Sequence, residues 1–240
     1  MYRTEEEARL AFVAKAARYA GIAEGSAAHK ELIAAYNAAT DGYDMSKDDP
    51  WCAMFLSAIA ALLGYQKFPL ECSCSRMVAK ARSMGIRVEG RGYRPKVGDW
   101  PIYDLDLNGA MDHIGVVVDV DGDDVYVLEG NYSDTVKGRV HIRYDDPRIL
   151  LWICPDYTEL VERATATGGG SSAAETFVDV PADAWYAGAV HKARELGIVE
   201  GVGGGLFEPD RAVTRAEAAA MMVRLFVFYA WVLPTQQPTQ

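Results

Sequence analysis

Apolar residues recur at helical spacing through the first 85 positions, and after about position 97 they alternate or run in short blocks. Residues 4–20 predict a helix, with Thr4 and Glu7 as a capping box and Ala8, Leu10, Ala11, Val13, Ala14 and Ala17 on its apolar side. A second helix is predicted over 26–38, capped by Ser26, with Leu32, Ile33 and Tyr36 on one face. The stretch from Asp48 to Leu56 opens a third, which runs to about Leu63 and stops at Gly64. Asp49 reads as its N-cap and Pro50 as its first residue, where no amide donor is needed. A fourth helix covers about 74–84. Strands follow over 97–103, 113–120, 124–129, 140–145 and 149–154. Helices first and antiparallel strands second make an α+β domain over residues 1–160, in which a cysteine-bearing helix packs on a small sheet.

The pattern breaks at 161–176, where glycine, serine, threonine and alanine dominate. Such a composition predicts a flexible linker with a reach of about 20 Å. A second, mostly helical module is expected over 177–233, with helices near 183–196 and 215–229 separated by a glycine-rich turn at 201–205. Residues 234–240 read as a disordered tail. An apolar run, Phe226 to Leu233, is costly in water and is expected to pack against something.

Composition narrows the function classes. Half of the 240 residues are apolar, enough for a sizeable core. The net charge of −10, with no lysine–arginine cluster, argues against nucleic acid as a partner. Neither the acidic N-terminus, which lacks an apolar h-region, nor the short run Leu225–Leu233 points to a membrane. Cys52, Cys72, Cys74 and Cys154 match no zinc spacing, so no metal or cofactor is expected, and the last three read as free structural thiols. The acidic loop Asp41, Asp44, Asp48, Asp49 does not reproduce an established calcium loop and reads as solvated.

Candidate chemistry centres on Cys52. At the positive end of a buried helix a thiol loses its proton more readily, although a small buried core residue is an equal reading of the same stretch. A thiolate nucleophile needs a base, and the base an orienting group. Of four histidines, His113 begins the apolar strand Ile114-Gly115-Val116-Val117-Val118, and the facing strand ends in Glu129-Gly130-Asn131. Glu129 and Asn131 share one face of that strand. His113 shares it too if 113 pairs with 131, which a three-residue loop Asp121-Gly122-Asp123 satisfies; a two-residue loop turns His113 to the other face.

Six ordered blocks carry a family resemblance over about residues 5–155: Glu24-Gly25-Ser26-Ala27-Ala28-His29-Lys30, Trp51-Cys52-Ala53 with Phe55, Glu71-Cys72-Ser73-Cys74, Pro95 to Trp100, Asp112 to Val117, and Glu129-Gly130-Asn131. They resemble the CHAP family of cysteine amidases and peptidases, a branch of the papain-like/NlpC-P60 fold. The resemblance implies Cys52 as nucleophile, His113 as general base and Glu129 as orienting carboxylate, with Asn131 as an alternative or supporting third group. It implies bacterial peptidoglycan as substrate, cut at an amide bond. Trp51 lines the cleft or packs in the core; Glu71 to Cys74 is best read as packing.

Beyond the linker, Phe177-Val178-Asp179-Val180-Pro181, Trp185-Tyr186, Gly197-Ile198-Val199, Phe207, Pro209 and Thr214-Arg215-Ala216-Glu217 resemble a single S-layer homology (SLH) module. Such modules bind secondary cell-wall polysaccharide. Thr214 and Glu217 make a capping box, while Arg215 is left to meet an anionic sugar substituent. Trp185 is expected in the module's core. The combined expectation is a peptidoglycan hydrolase, an N-acetylmuramoyl-L-alanine amidase or endopeptidase, held at the wall outside the cell. With no secretory signal read, a phage or prophage lysin released at lysis fits, as does a removed signal or another export route. The alternative is a non-catalytic wall-binding or S-layer-associated protein with an inactive first domain; a general cysteine protease is a weaker third.

Overall fold

The structure, a computed structural model, describes Tyr2 and residues 4–161, 177–195 and 197–232, without the side chains of 195, 223, 224 and 226–232. The expected linker from 162 onward, the tail at 234–240 and the packing of the apolar run 226–233 lie outside these described residues. The chain is α+β, as its patterning requires. Helices α1 (Glu5–Ala17), α2 (Ala27–Ala39), α3 (Cys52–Leu62) and α4 (Cys74–Ser83) precede strands β1 (Arg87–Gly90), β2 (Trp100–Tyr103), β3 (His113–Ile114), β4 (Val116–Asp121), β5 (Asp124–Tyr132), β6 (Thr135–Arg143) and β7 (Ile149–Cys154). Helices α5 (Ala187–Glu195) and α6 (Arg215–Val232) follow. Strand β1 has no counterpart in the sequence reading, because its alternation is only partial and both ends are exposed.

Two antiparallel sheets form, ordered β1-β7-β2-β3 and β4-β5-β6. Gly115 separates β3 from β4, so one run of apolar residues serves both sheets. A Cβ at Gly115 would lie 2.4 Å from Val127 and 2.9 Å from the Leu128 carbonyl; only glycine lets the chain cross so close to β5. The hairpin differs from expectation. Asp121 pairs with Asp124, leaving a two-residue loop. That loop alone would face His113 the wrong way, but a bulge between Val117 and Asp119 inserts one residue and restores the alternation. Val116 consequently pairs with Leu128, the register in which 113 lies opposite 131.

Helix α3 is buried along nearly its whole length, from Cys52 to Ala60. It is the central support of the first domain. It lies tight against β5, where a Cβ on Gly130 would lie 2.6 Å from Phe55. Behind it, Phe12, Phe68, Trp100 and Tyr157 interlock at centroid separations of 5.1 to 5.8 Å. The Pro95–Trp100 block is structural. Gly98, at φ +90°, accepts a 2.7 Å bond from the Tyr157 hydroxyl, and buried Asp99 accepts from Arg9, Tyr93 and the Lys96 amide.

The second module has its own small cluster of Phe177, Val180, Ala187, Val190 and Val199. Asp179 accepts from the amides of Phe207 and Glu208, tying its two ends together. Thr214 and Glu217 make the reciprocal capping box expected of them. Trp185 contradicts expectation. It is 94% exposed, with Tyr186 in edge contact, and lies outside the module's cluster of buried apolar side chains.

Candidate functional site

The start of α3 differs from the sequence expectation in a way that matters chemically. Its N-cap is Trp51, which makes no side-chain capping bond. Asp49 instead accepts from the Ser46 amide and hydroxyl and from the Tyr43 hydroxyl, turning the preceding loop back on itself, and Pro50 stands before the cap. The first-turn amides of α3 are left without a carboxylate, free to face a negative charge. One of them, from Ala53, donates to Cys52.

Cys52, His113 and Glu129 come together. His113 Nε2 lies 3.1 Å from Glu129 Oε2, with both side chains buried. Cys52 is the other group close enough to act on the imidazole electrostatically. Burial pulls the His113 pKa down, but the bonds and charges of Cys52 and Glu129 outweigh it and raise the value to about 9. A hydrogen bond from Cys74 holds the Cys52 thiol well below its ordinary range against the cost of burial, and His113 and the Ala53 amide add to the effect. Both shifts act in the same direction, toward a thiolate–imidazolium pair.

Asn131 does not join this group. It sits half-buried at φ +56°, past the point where the β5–β6 register breaks, and the hydrogen bond of His113 goes to Glu129 instead. The orienting position belongs geometrically to Glu129. Trp51 is also corrected as a cleft residue. It is fully buried, its Nε1 donates to Glu24, and its ring lies 4.5 Å from that of His29. The Glu24–His29 block therefore serves to fix Trp51, and Trp51 fixes the residue after it. Arg215 opens α6, exposed and without an acidic partner among the described residues, far along the chain from Cys52.

Two contacts were not read from the sequence. Tyr103 stacks on His113 at 5.9 Å and 29°, buried, and limits rotation of the ring. Cys74 places its sulfur 3.8 Å from that of Cys52. Its signal was present: Cys74 follows Ser73 at a helix start, just as Cys52 follows Trp51 at another. Ser57 makes the meeting possible, because its hydroxyl donates to the Glu71 carbonyl at 2.7 Å and accepts from the Glu71 amide at 2.9 Å, pinning the entry of α4 to α3.

A cleft of about 410 Å³ opens over the two sulfurs, walled by Tyr43, Met45, Arg76, Met111 and Asp112. A neighbouring depression of about 470 Å³ shares Tyr43 and Arg76 with it. Among the described residues one carboxylate group is dense enough to consider for a cation, Asp104, Asp106 and Asp112. Its oxygens are already engaged in local turns, Asp104 with the amides of Asn108 and Gly109 and Asp112 with that of Leu105.

Comparison with known proteins agrees with the two-part reading. Residues 40–131 match the CHAP domain and residues 176–219 the S-layer homology domain. The chain is 46% identical over 55 residues to the S-layer protein sap of Bacillus anthracis, 23% of this chain and 7% of that protein. It is 48% identical over 50 residues to the surface-layer 125 kDa protein of Lysinibacillus sphaericus, 21% of this chain and 4% of that protein. A cell surface protein of Thermoanaerobacter kivui is 35% identical over 72 residues, 30% of this chain and 9% of that protein. The chain thus spans less than a tenth of the length of these relatives. No solved structure matches it.

Proposed function

We propose that the chain is a peptidoglycan hydrolase that cuts an amide bond with a Cys52–His113–Glu129 site in a domain spanning about 1–160, and that its SLH module at about 177–233 holds it to cell-wall polysaccharide. The observation that carries this reading is the convergence of Cys52 with a histidine oriented by a buried carboxylate, inside the segment that matches the CHAP domain. The Cys52 thiolate attacks the amide carbon, and the oxyanion is met by uncapped amides at the start of α3. The His113 imidazolium gives its proton to the leaving amine, and water then hydrolyses the thioester with His113 as base. Glu129 holds the ring and stabilises its charge throughout. The bond is the muramoyl–L-alanine amide or one within the stem or cross-bridge peptide, and mass spectrometry of the released fragments distinguishes them. The relatives' names place those proteins at a cell surface, and the wall is the proposed location of this one.

The test is loss of turbidity of purified walls. Cys52→Ala is expected to abolish it while leaving the circular dichroism spectrum unchanged; full activity in that variant overturns the proposal. A second reading, a wall-binding protein with an inactive first domain, draws on the burial of Cys52, which is only 6% exposed. Iodoacetamide at about pH 6, below the ordinary thiol range, separates the two. Labelling of Cys52 far ahead of Cys72, Cys74 and Cys154 supports the enzyme, and uniformly slow labelling the inert domain.

A further inference from the structure

Cys52 and Cys74 are the first residues of two different helices, α3 and α4. Each thiol sits where a helix stabilises negative charge on sulfur. Their sulfurs are 3.8 Å apart, both line the same cleft, and both side chains are nearly buried. The proposed hydrolysis needs only one of them. A buried core cysteine has no reason to lie against a nucleophile, and the double bond between Ser57 and the Glu71 backbone holds it there.

We infer that Cys52 and Cys74 form a reversible oxidative modification site, in which peroxide converts the pair to a disulfide that blocks the nucleophile. The inference rests on the proposed role of Cys52. The Cys52 thiolate attacks the peroxide O–O bond, giving a sulfenic acid and releasing hydroxide. The Cys74 sulfur then attacks the Cys52 sulfur. An S–S bond forms, the S–O bond breaks, and the oxygen leaves as water with the Cys74 proton. Two electrons pass from the two sulfurs to one peroxide. The sulfurs must close from 3.8 Å to about 2.05 Å. A dithiol reductant reverses the reaction by exchange. Without Cys74, no sulfur lies against the sulfenic acid, and a second peroxide transfers an oxygen to it, releasing water and leaving the sulfinic acid, which thiols do not reduce. Cys72 is the competing thiol. It lines the cleft as well, but Arg76 Nη2 donates to its sulfur and holds it outward.

The experiment treats the full chain, folded, with hydrogen peroxide at one to a few equivalents, then blocks free thiols and digests without reductant. The expected result is a mass loss of two hydrogens, a cross-linked peptide joining Cys52 to Cys74, and wall-lytic activity that disappears and returns with dithiothreitol. In Cys74→Ser, compared with its own untreated activity, the loss is expected to persist after dithiothreitol, with two oxygens added at Cys52. Cys52 and Cys74 remaining separately alkylatable after peroxide overturns the inference, as does a bridge from Cys52 to Cys72. If the Cys52–Cys74 bridge forms in a protein whose reduced form never clears walls, the hydrolase reading fails and the thiol pair stands. If the reduced protein clears walls and no bridge forms, the inference alone fails.

Discussion

At the scale of single residues, the site sets a raised imidazole pKa beside a lowered thiol pKa among nearly buried side chains. His113 keeps its proton up to about pH 9, and Cys52 loses its own well below the usual thiol range. Hydrolysis should therefore rise on the acid side as Cys52 ionises and fall as pH climbs through about 9, where the imidazolium that protonates the leaving amine is lost. A pH profile of wall clearing checks both limbs. His113→Ala should cost about 10²–10⁴-fold in rate, the usual worth of a positioned acid–base group. Glu129→Gln should cost less, move the alkaline limb to lower pH and leave the fold intact, whereas Asn131→Ala should leave the profile unchanged. An equal shift in Asn131→Ala would return the orienting role to that residue. Cys52 and His113 were legible from a helix start and a strand start. The choice between Glu129 and Asn131 was not, because it depends on where β5 breaks its register.

At the scale of elements, glycines without positive φ do the placing. Gly130 lets α3 lie against β5, and Gly115 lets β3 pass into β4. Gly130→Ala should force Phe55 away, lower stability by about 1–3 kcal/mol as overpacking does, and reduce activity further than stability alone explains. Denaturant unfolding together with wall clearing measures the two. His29 makes a second element-level prediction. Burial lowers its pKa, so the folded state holds it neutral, with Nδ1 accepting from the Gly25 amide. Its contribution is present at neutral pH and is lost as pH falls below about 6.5, where the unfolded chain takes up the proton first. The stability gap between wild type and His29→Asn should narrow from about pH 7 to pH 5. The helices of the first domain were foreseen nearly to the residue, since their apolar period and caps are local. The start of α3 was not, because Asp49 satisfies its own loop instead of capping the helix.

On the whole-molecule scale, the residues proposed for chemistry and for attachment belong to parts of the chain with separate clusters of buried apolar residues. Arg18, the C-cap of α1, pairs with Glu200 of the second module at 3.2 Å, both exposed, a contact worth little in water. Attachment should then be separable from catalysis within the full chain. Arg215→Ala should weaken cosedimentation with intact walls about 10- to 100-fold, the worth of a charge-assisted bond, while leaving turnover of soluble peptidoglycan fragments unchanged. Equal binding to walls stripped of their polysaccharide would remove that role. Trp185, exposed beside Tyr186, is the whole-molecule feature that its sequence position least suggested. An indole in a strong local pattern reads as core, and only the folded module shows that it is outside.

The sequence by itself indicated helices first and antiparallel strands second, a composition break ahead of a second motif-bearing stretch, and which cysteine and histidine are candidates. Those features rest on local periodicity, caps and composition, which neighbouring residues carry without help from distant ones. Tertiary structure decided the rest. A bulge near Val118 cancelled the parity of a two-residue turn, two glycines admitted a helix and a strand crossing, and Ser57 anchored α4 so that Cys74 reached Cys52. Each is a contact between segments far apart in the chain, where a shift of one residue or one methyl group changes which side chains meet.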